Sequence, residues 1–232
     1  MRTSLSRTAD AWIAIATAVG VIAVTIPLFL NPIWVAFEQG RAQATAWTGF
    51  SDADLRTATD SILSDLVFGP PDFDVVVAGT PVLEERERAH MRDVRDVFIG
   101  FFVVAAVLVV VTVMIAALRG PDQRSATWRA IRTGSVGLVA TLLIAGVVAV
   151  VAFDALFEVF HRLLFAGGSY AFDPRTERLV QLFPFRFWQE TAIAVGAVAI
   201  VVALVAAAFA NRRLVADPPR QAGPATLESS RP

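Results

Sequence analysis

Four long apolar runs separated by charged segments dominate the chain: Trp12 to Leu30, Val97 to Leu118, Val136 to Phe153 and Ala192 to Ala210. Each approaches or reaches the roughly 20 residues an α-helix needs to cross bilayer hydrocarbon, and each predicts a transmembrane helix. The first follows Arg2 and Arg7 as a signal peptide would. Its run is long, however, and no small-x-small cleavage pattern follows Pro27-Leu28-Phe29-Leu30, so the helix is expected to be retained. The predicted fold class is all-α and membrane-integral, a four-helix transmembrane bundle with a small extracytoplasmic cap.

The pattern divides the chain into 1–30 (cytoplasmic tail and first span), 31–96 (cap segment), 97–118 (second span) and 119–135 (cytoplasmic loop). It continues with 136–153 (third span), 154–191 (second outer segment), 192–210 (fourth span) and 211–232, a tail of disordered composition. Within the cap, Ser51-Asp52-Ala53-Asp54 resembles a capping box. Leu55, Ala58, Ile62 and Leu66 recur at helical spacing up to the Gly69-Pro70-Pro71 stop. Phe73, Val75 and Val77 alternate as a short strand would before a turn at Gly79-Thr80-Pro81, and from Leu83 a helical pattern runs unbroken into the second span. The third span continues outward to Gly167-Gly168, and the chain turns at Asp173-Pro174. It re-enters through Phe183-Pro184-Phe185-Arg186-Phe187-Trp188, an aromatic cluster suited to the membrane interface.

Composition narrows the function classes. With 56% hydrophobic and 18% charged residues, a water-soluble globule is excluded. A net charge of -1 leaves no basic surface for nucleic acid. Without cysteine there is no disulfide, thiol nucleophile or Cys-ligated metal, and since every basic residue is Arg there is no Schiff-base lysine. The loop carrying Arg119, Arg124, Arg129 and Arg132 against Asp122 predicts a cytoplasmic side that also holds both termini. That side then holds ten of the 20 Arg and four of the 21 acids, leaving ten Arg and seventeen acids outside, although Arg92 and Arg95 run against the rule.

The two histidines, His90 and His161, each fall just beyond a span on the same side. Glu87 and Asp93 flank His90 at three residues, while Asp154 and Glu158 precede His161 by seven and three, so each imidazole has candidate carboxylate orienters on its own helix. Three readings are open: a general acid/base pair at headgroup level, two interfacial histidines among ordinary surface charges, or a metal site using the Glu87-x-x-His90 spacing. Asp154 and Glu190 near span ends could be carboxylates of a proton pathway or could simply reach water. Ser169 and Tyr170 read as turn residues rather than nucleophiles, since no Gly-x-Ser-x-Gly elbow is present.

The motifs Glu87-x-x-His90-Met91-x-Asp93-Val94, Phe153-Asp154 with Phe160-His161 and Phe165, Phe172-Asp173-Pro174, and Leu182-Phe183-Pro184 with Phe187-Trp188 resemble those of a bacterial four-span family. It is the family of the lipoprotein intramolecular transacylase. The resemblance covers most of the chain between the first and fourth spans. It departs after Pro184, where Phe185-Arg186 replaces the usual acidic or polar residue.

The resemblance implies an enzyme of the bacterial plasma membrane whose substrate is the diacylglyceryl-modified N-terminus of a lipoprotein. An acyl chain would move from the sn-2 ester to the cysteine α-amino group, giving the lyso form without cofactor or metal. His90 and His161 would be the catalytic pair, with Glu87, Asp93, Asp154, Glu158 and Asp173 supporting or orienting, and Phe165, Tyr170, Arg186 and Trp188 lining the substrate site. In the expected division of labour His90, oriented by Asp93, takes the ammonium proton. His161, backed by Asp154 or Glu158, serves the oxyanion or leaving oxygen, and the order is reversible. The competing reading is a membrane scaffold or lipoprotein-binding accessory with incidental histidines. The pattern sets no oligomeric state.

Overall fold

The structure is a computed structural model that describes residues 4–165 and 168–216. Its membrane-spanning helices are α1 (Ser4–Thr25), α5 (Glu85–Leu118), α6 (Arg124–Leu164) and α8 (Phe185–Ala216). Between α1 and α5 lie α2 (Pro32–Arg41), α3 (Ala44–Thr48), α4 (Asp52–Val67) and a two-stranded hairpin, β1 (Val76–Val77) with β2 (Thr80–Pro81). The five-residue α7 (Arg178–Leu182) precedes α8.

Among the described residues, four helices are long and apolar enough to cross a membrane. Their outward faces are apolar: Val103, Val107, Val110 and Val113 of α5, and Leu143, Ile144, Val147 and Val151 of α6, are all exposed. Such faces suit lipid rather than water. The inward faces are built from small residues, with Ala105, Ala149, Ala199, Ala203 and Ala210 buried, which lets backbones approach closely. Gly134 is the extreme case. A Cβ there would lie 2.8 Å from the carbonyl carbon of Ala14, so the α1–α6 crossing depends on its absence.

At 1.5 Å per residue the 34 residues of α5 measure about 51 Å, well beyond the roughly 30 Å of hydrocarbon. The excess is its first twelve residues, Glu85 to Asp96, which carry nine charged or histidine side chains and so protrude from the apolar segment. In α6, Ala152 breaks the helix with φ -147° and ψ 42°, which redirects the last turns, Phe153 to Leu164.

The cap has a core of its own, in which Val35, Leu55, Ala58, Ile62, Phe73 and Val75 pack with Met91 of α5 and Leu179, Leu182 and Phe187. Ser51 caps α4 by accepting from the Asp54 amide, as the capping pattern predicts. Buried Gln39 ties three elements together: its amide nitrogen reaches the Thr59 hydroxyl and the Leu182 carbonyl, each at 3.0 Å.

Three expectations need adjustment. The segment before Ser51, for which the sequence predicted no element, forms α2 and α3. Asn31 accepts from the Trp34 amide, and Pro32 starts the helix with a preset φ. The segment 119–135, expected as a loop, is mostly helix, since α6 already begins at Arg124. The expected tail is helical to Ala216, so residues 211–216 extend α8, while 217–232 lie outside the described residues.

Candidate active site

The N-terminal end of α5 and the C-terminal end of α6 bring the histidines together. His90 sits in the second turn of α5, whose start is fixed by a capping box in which Glu87 accepts from the Glu84 amide at 2.7 Å. His161 sits one turn from the end of α6, beyond the break at Ala152. Their rings lie nearly parallel, 26° apart in plane with centroids 6.1 Å apart. Both are buried, at 6% and 9% exposure.

Aromatic side chains enclose the pair. Phe165 lies 4.8 Å from His90 and 5.4 Å from His161, so it touches both. Phe172 packs on His90 at 5.4 Å, while Phe157 and Tyr170 pack on His161 at 4.0 and 5.0 Å.

The electrostatics separate the two imidazoles. His161 Nδ1 lies 2.8 Å from the Phe157 carbonyl oxygen, one turn back. A carbonyl only accepts, so Nδ1 carries the proton and Nε2 keeps its lone pair. His90 has no hydrogen bond to any described residue, and its Nδ1 is buried without a partner. Both rings stand beyond the apolar segments of their helices. Burial, followed by repulsion from His161, pushes His90 down to about 4. Burial also lowers His161, opposed by the Phe157 carbonyl and the Glu158 charge. At neutral pH both rings are uncharged.

The expected supporting residues fare unequally. Glu158 belongs to the site: it accepts from the Tyr170 hydroxyl at 3.0 Å and from Arg162 at 2.8 Å, fixing the ring that packs on His161. Glu87 does not orient His90. It is fully buried, and its oxygens are taken by the amides of Glu84 and, at 2.6 Å, Leu179. Burial raises its pKa, and those two amides oppose the rise. Asp93 and Asp154 point outward, exposed, with neither hydrogen bond nor ion pair to any described residue, so neither orients a histidine. Asp173 is a turn residue: its carboxylate accepts from the Arg175 amide. Arg186 is exposed and pairs with Glu190 at 2.8 Å, away from the histidines. Trp188 packs on Phe157, and so reaches the site at one remove. Phe165 and Tyr170 line it directly. Gly167 lies outside the described residues.

Two contributors escaped the sequence reading. The Phe157 carbonyl sets a tautomer through backbone chemistry that any residue could supply, so no sequence signal marks it. Arg86 stacks over Phe172 at 4.6 Å, donates to the Ala171 carbonyl at 3.0 Å and pairs closely with Glu177. It fastens the loop that carries Phe172 over His90. Its place one turn before His90 is the only hint the sequence holds. Among the described residues no three His, Asp or Glu side chains gather into a metal-binding group.

The fold has solved counterparts. The lipoprotein intramolecular transacylase Lit of Bacillus cereus superposes with a TM-score of 0.77 at 16% identity, covering 91% of this chain and 96% of that one. Two structures of the same protein with a histidine replaced, by arginine and by alanine, superpose with TM-scores of 0.73 at 16% identity. They cover 91% of this chain and 92% and 94% of theirs. No curated protein sequence matches the chain. The family profile described as lipoprotein intramolecular transacylase Lit matches residues 11–188, the stretch containing the cap, both histidines and the aromatic enclosure. This four-span membrane enzyme therefore belongs to the lipoprotein intramolecular transacylase family.

Proposed function

We propose that the enzyme moves an acyl chain from the sn-2 ester of a diacylglyceryl-modified N-terminal cysteine to the α-amino group of that cysteine, releasing a lyso-form lipoprotein. The observation that carries this reading is the convergence of two buried, uncharged imidazoles inside one aromatic enclosure. Amine and ester belong to one substrate molecule, so no acyl-enzyme is required. Holding them together supplies a large effective molarity.

His161 Nε2 is the general base. The Phe157 carbonyl fixes its tautomer, and its neighbours oppose the loss of basicity caused by burial. It takes a proton from the amine as nitrogen attacks the ester carbonyl carbon, forming the C–N bond. The neutral His90, too weak a base for that step, donates an N–H to the oxyanion. Collapse breaks the bond between the carbonyl carbon and the glycerol oxygen, which receives the proton held by His161. No atom is gained or lost. This division of labour is the reverse of the sequence expectation, which relied on Asp93 behind His90; Asp93 is exposed and unpaired among the described residues.

The charge asymmetry supports a site facing outward, with both termini in the cytoplasm. Mass spectrometry of a lipoprotein's N-terminal lipopeptide tests the reaction, in cells lacking N-acyltransferase that express this protein, His90→Ala or His161→Ala. The expected result is an isomer of unchanged mass with one acyl chain on the amine, formed only with both histidines. An unchanged lipopeptide from cells with folded wild-type protein in the membrane contradicts it.

A further inference from the structure

At the end of the bundle opposite the histidines, α5, α6 and α8 border an open pocket of about 270 Å³, lined by Ala116, Arg124, Thr127, Trp128 and Arg213. It lies where the apolar run of α5 ends at Leu118 and that of α8 at Ala210, the depth of lipid headgroups. Trp128 packs edge-on against Phe209 at 5.7 Å, an aromatic pair of the kind that occupies this layer. The Arg213 guanidinium stacks over Phe209 at 5.0 Å, which directs its charge at the pocket rim.

Neither Arg124 nor Arg213 has a carboxylate within ion-pairing distance among the described residues. Their neighbour Arg119 differs. It is paired with Asp10 at 2.8 Å and bonded to Thr127, so that local acid is already engaged. Two guanidinium groups on separate helices, facing one concavity with an aromatic wall, form a receptor for a phosphate oxyanion bearing an apolar attachment.

We propose that this pocket binds the phosphate of an anionic phospholipid headgroup, in the leaflet opposite the histidine pair. Basic pockets between spanning helices recognise headgroups in this way. A cation near an anionic bilayer surface favours it by about fivefold, so two acting together give a preference of roughly 25-fold over a zwitterionic lipid. The shared chemistry is a phosphate oxyanion, whose source is either a lipid or free phosphate.

Trp128 is a built-in reporter. The full-length protein is placed in nanodiscs of phosphatidylcholine containing a small fraction of brominated phosphatidylglycerol or, separately, brominated phosphatidylcholine. The Trp128 contribution to quenching is taken as the difference from Trp128→Phe. The expected result is quenching by the anionic lipid at mole fractions at least tenfold lower than by the zwitterionic one. Arg124→Gln/Arg213→Gln removes this preference and leaves quenching by phosphatidylcholine unchanged, which shows the variant is folded and inserted. Equal quenching by both lipids, or a preference that survives in the double variant, overturns the proposal. Loss of the preference in millimolar inorganic phosphate at constant ionic strength assigns the pocket to free phosphate and overturns its lipid assignment.

Discussion

His161 Nδ1 donates to the carbonyl oxygen of Phe157 at 2.8 Å, within the same helix and one turn away. A backbone carbonyl does in this site what a carboxylate does in many histidine pairs. It fixes the tautomer without placing a carboxylate on Nδ1. The Nε2 lone pair is thereby left free, on a ring whose centroid lies 6.1 Å from that of His90.

Replacing His161 with Asn separates position from chemistry. The Asn amide can still donate to the Phe157 carbonyl but offers no basic nitrogen. Lipopeptide mass spectrometry should show conversion reduced by about 10²- to 10⁴-fold, the range of a lost general base, with thermal unfolding in detergent little changed.

Activity should fall on the acid side only. The nucleophilic amine and the base must both be unprotonated, so a pH–rate profile declines below about 8 as the α-amino group gains a proton and falls more steeply where His161, held below its ordinary 6.5, gains one too.

Stability has its own acid dependence. Unfolded His90 titrates near 6.5 and folded His90 at about 4, so between these values the unfolded chain binds the extra proton. Stability therefore drops as pH falls from 6.5 to about 4 and levels below that. Thermal unfolding across this window should show the slope in the wild type. In His90→Phe, which keeps an aromatic ring among Phe165 and Phe172, the slope should shrink.

Arg86 fastens the loop over His90, and Arg86→Ala leaves Glu177, itself 8% exposed, without its cation. The expected outcome is faster amide hydrogen exchange over residues 168–177, a loss of about 1–3 kcal/mol in stability and a several-fold slower acyl transfer, with partial recovery in Arg86→Lys.

Gly134→Leu should separate α1 from α6. Overpacking at a backbone contact this close costs about 1–3 kcal/mol or more, readable as a lowered unfolding temperature in detergent. Gly20→Ala serves as the control, since the nearest atom to its added Cβ is the Val109 methyl at 3.9 Å.

The spans, the α4 cap at Ser51 and the unbroken run from the cap into α5 were legible because apolar periodicity and capping chemistry are local properties of sequence. So was the place of each histidine near the outlying end of a long helix that continues a span. The partners of the carboxylates were not legible. Helical spacing places Glu87 near His90, but the amide of Leu179, 92 residues away, claims its oxygen. Asp93 has the right spacing on the wrong face. The tautomer of His161 rests on a main-chain carbonyl and leaves no trace in residue types.

The chain contains only two histidines, so selective ¹⁵N labelling yields two imidazole spectra that mutation can assign. The most direct measurement is ¹⁵N NMR of histidine-labelled protein in nanodiscs at neutral pH, with His90→Phe identifying His161. The account predicts two neutral rings, with His161 protonated on Nδ1 and non-protonated on Nε2. An imidazolium at either position, or a His161 protonated on Nε2, would contradict it.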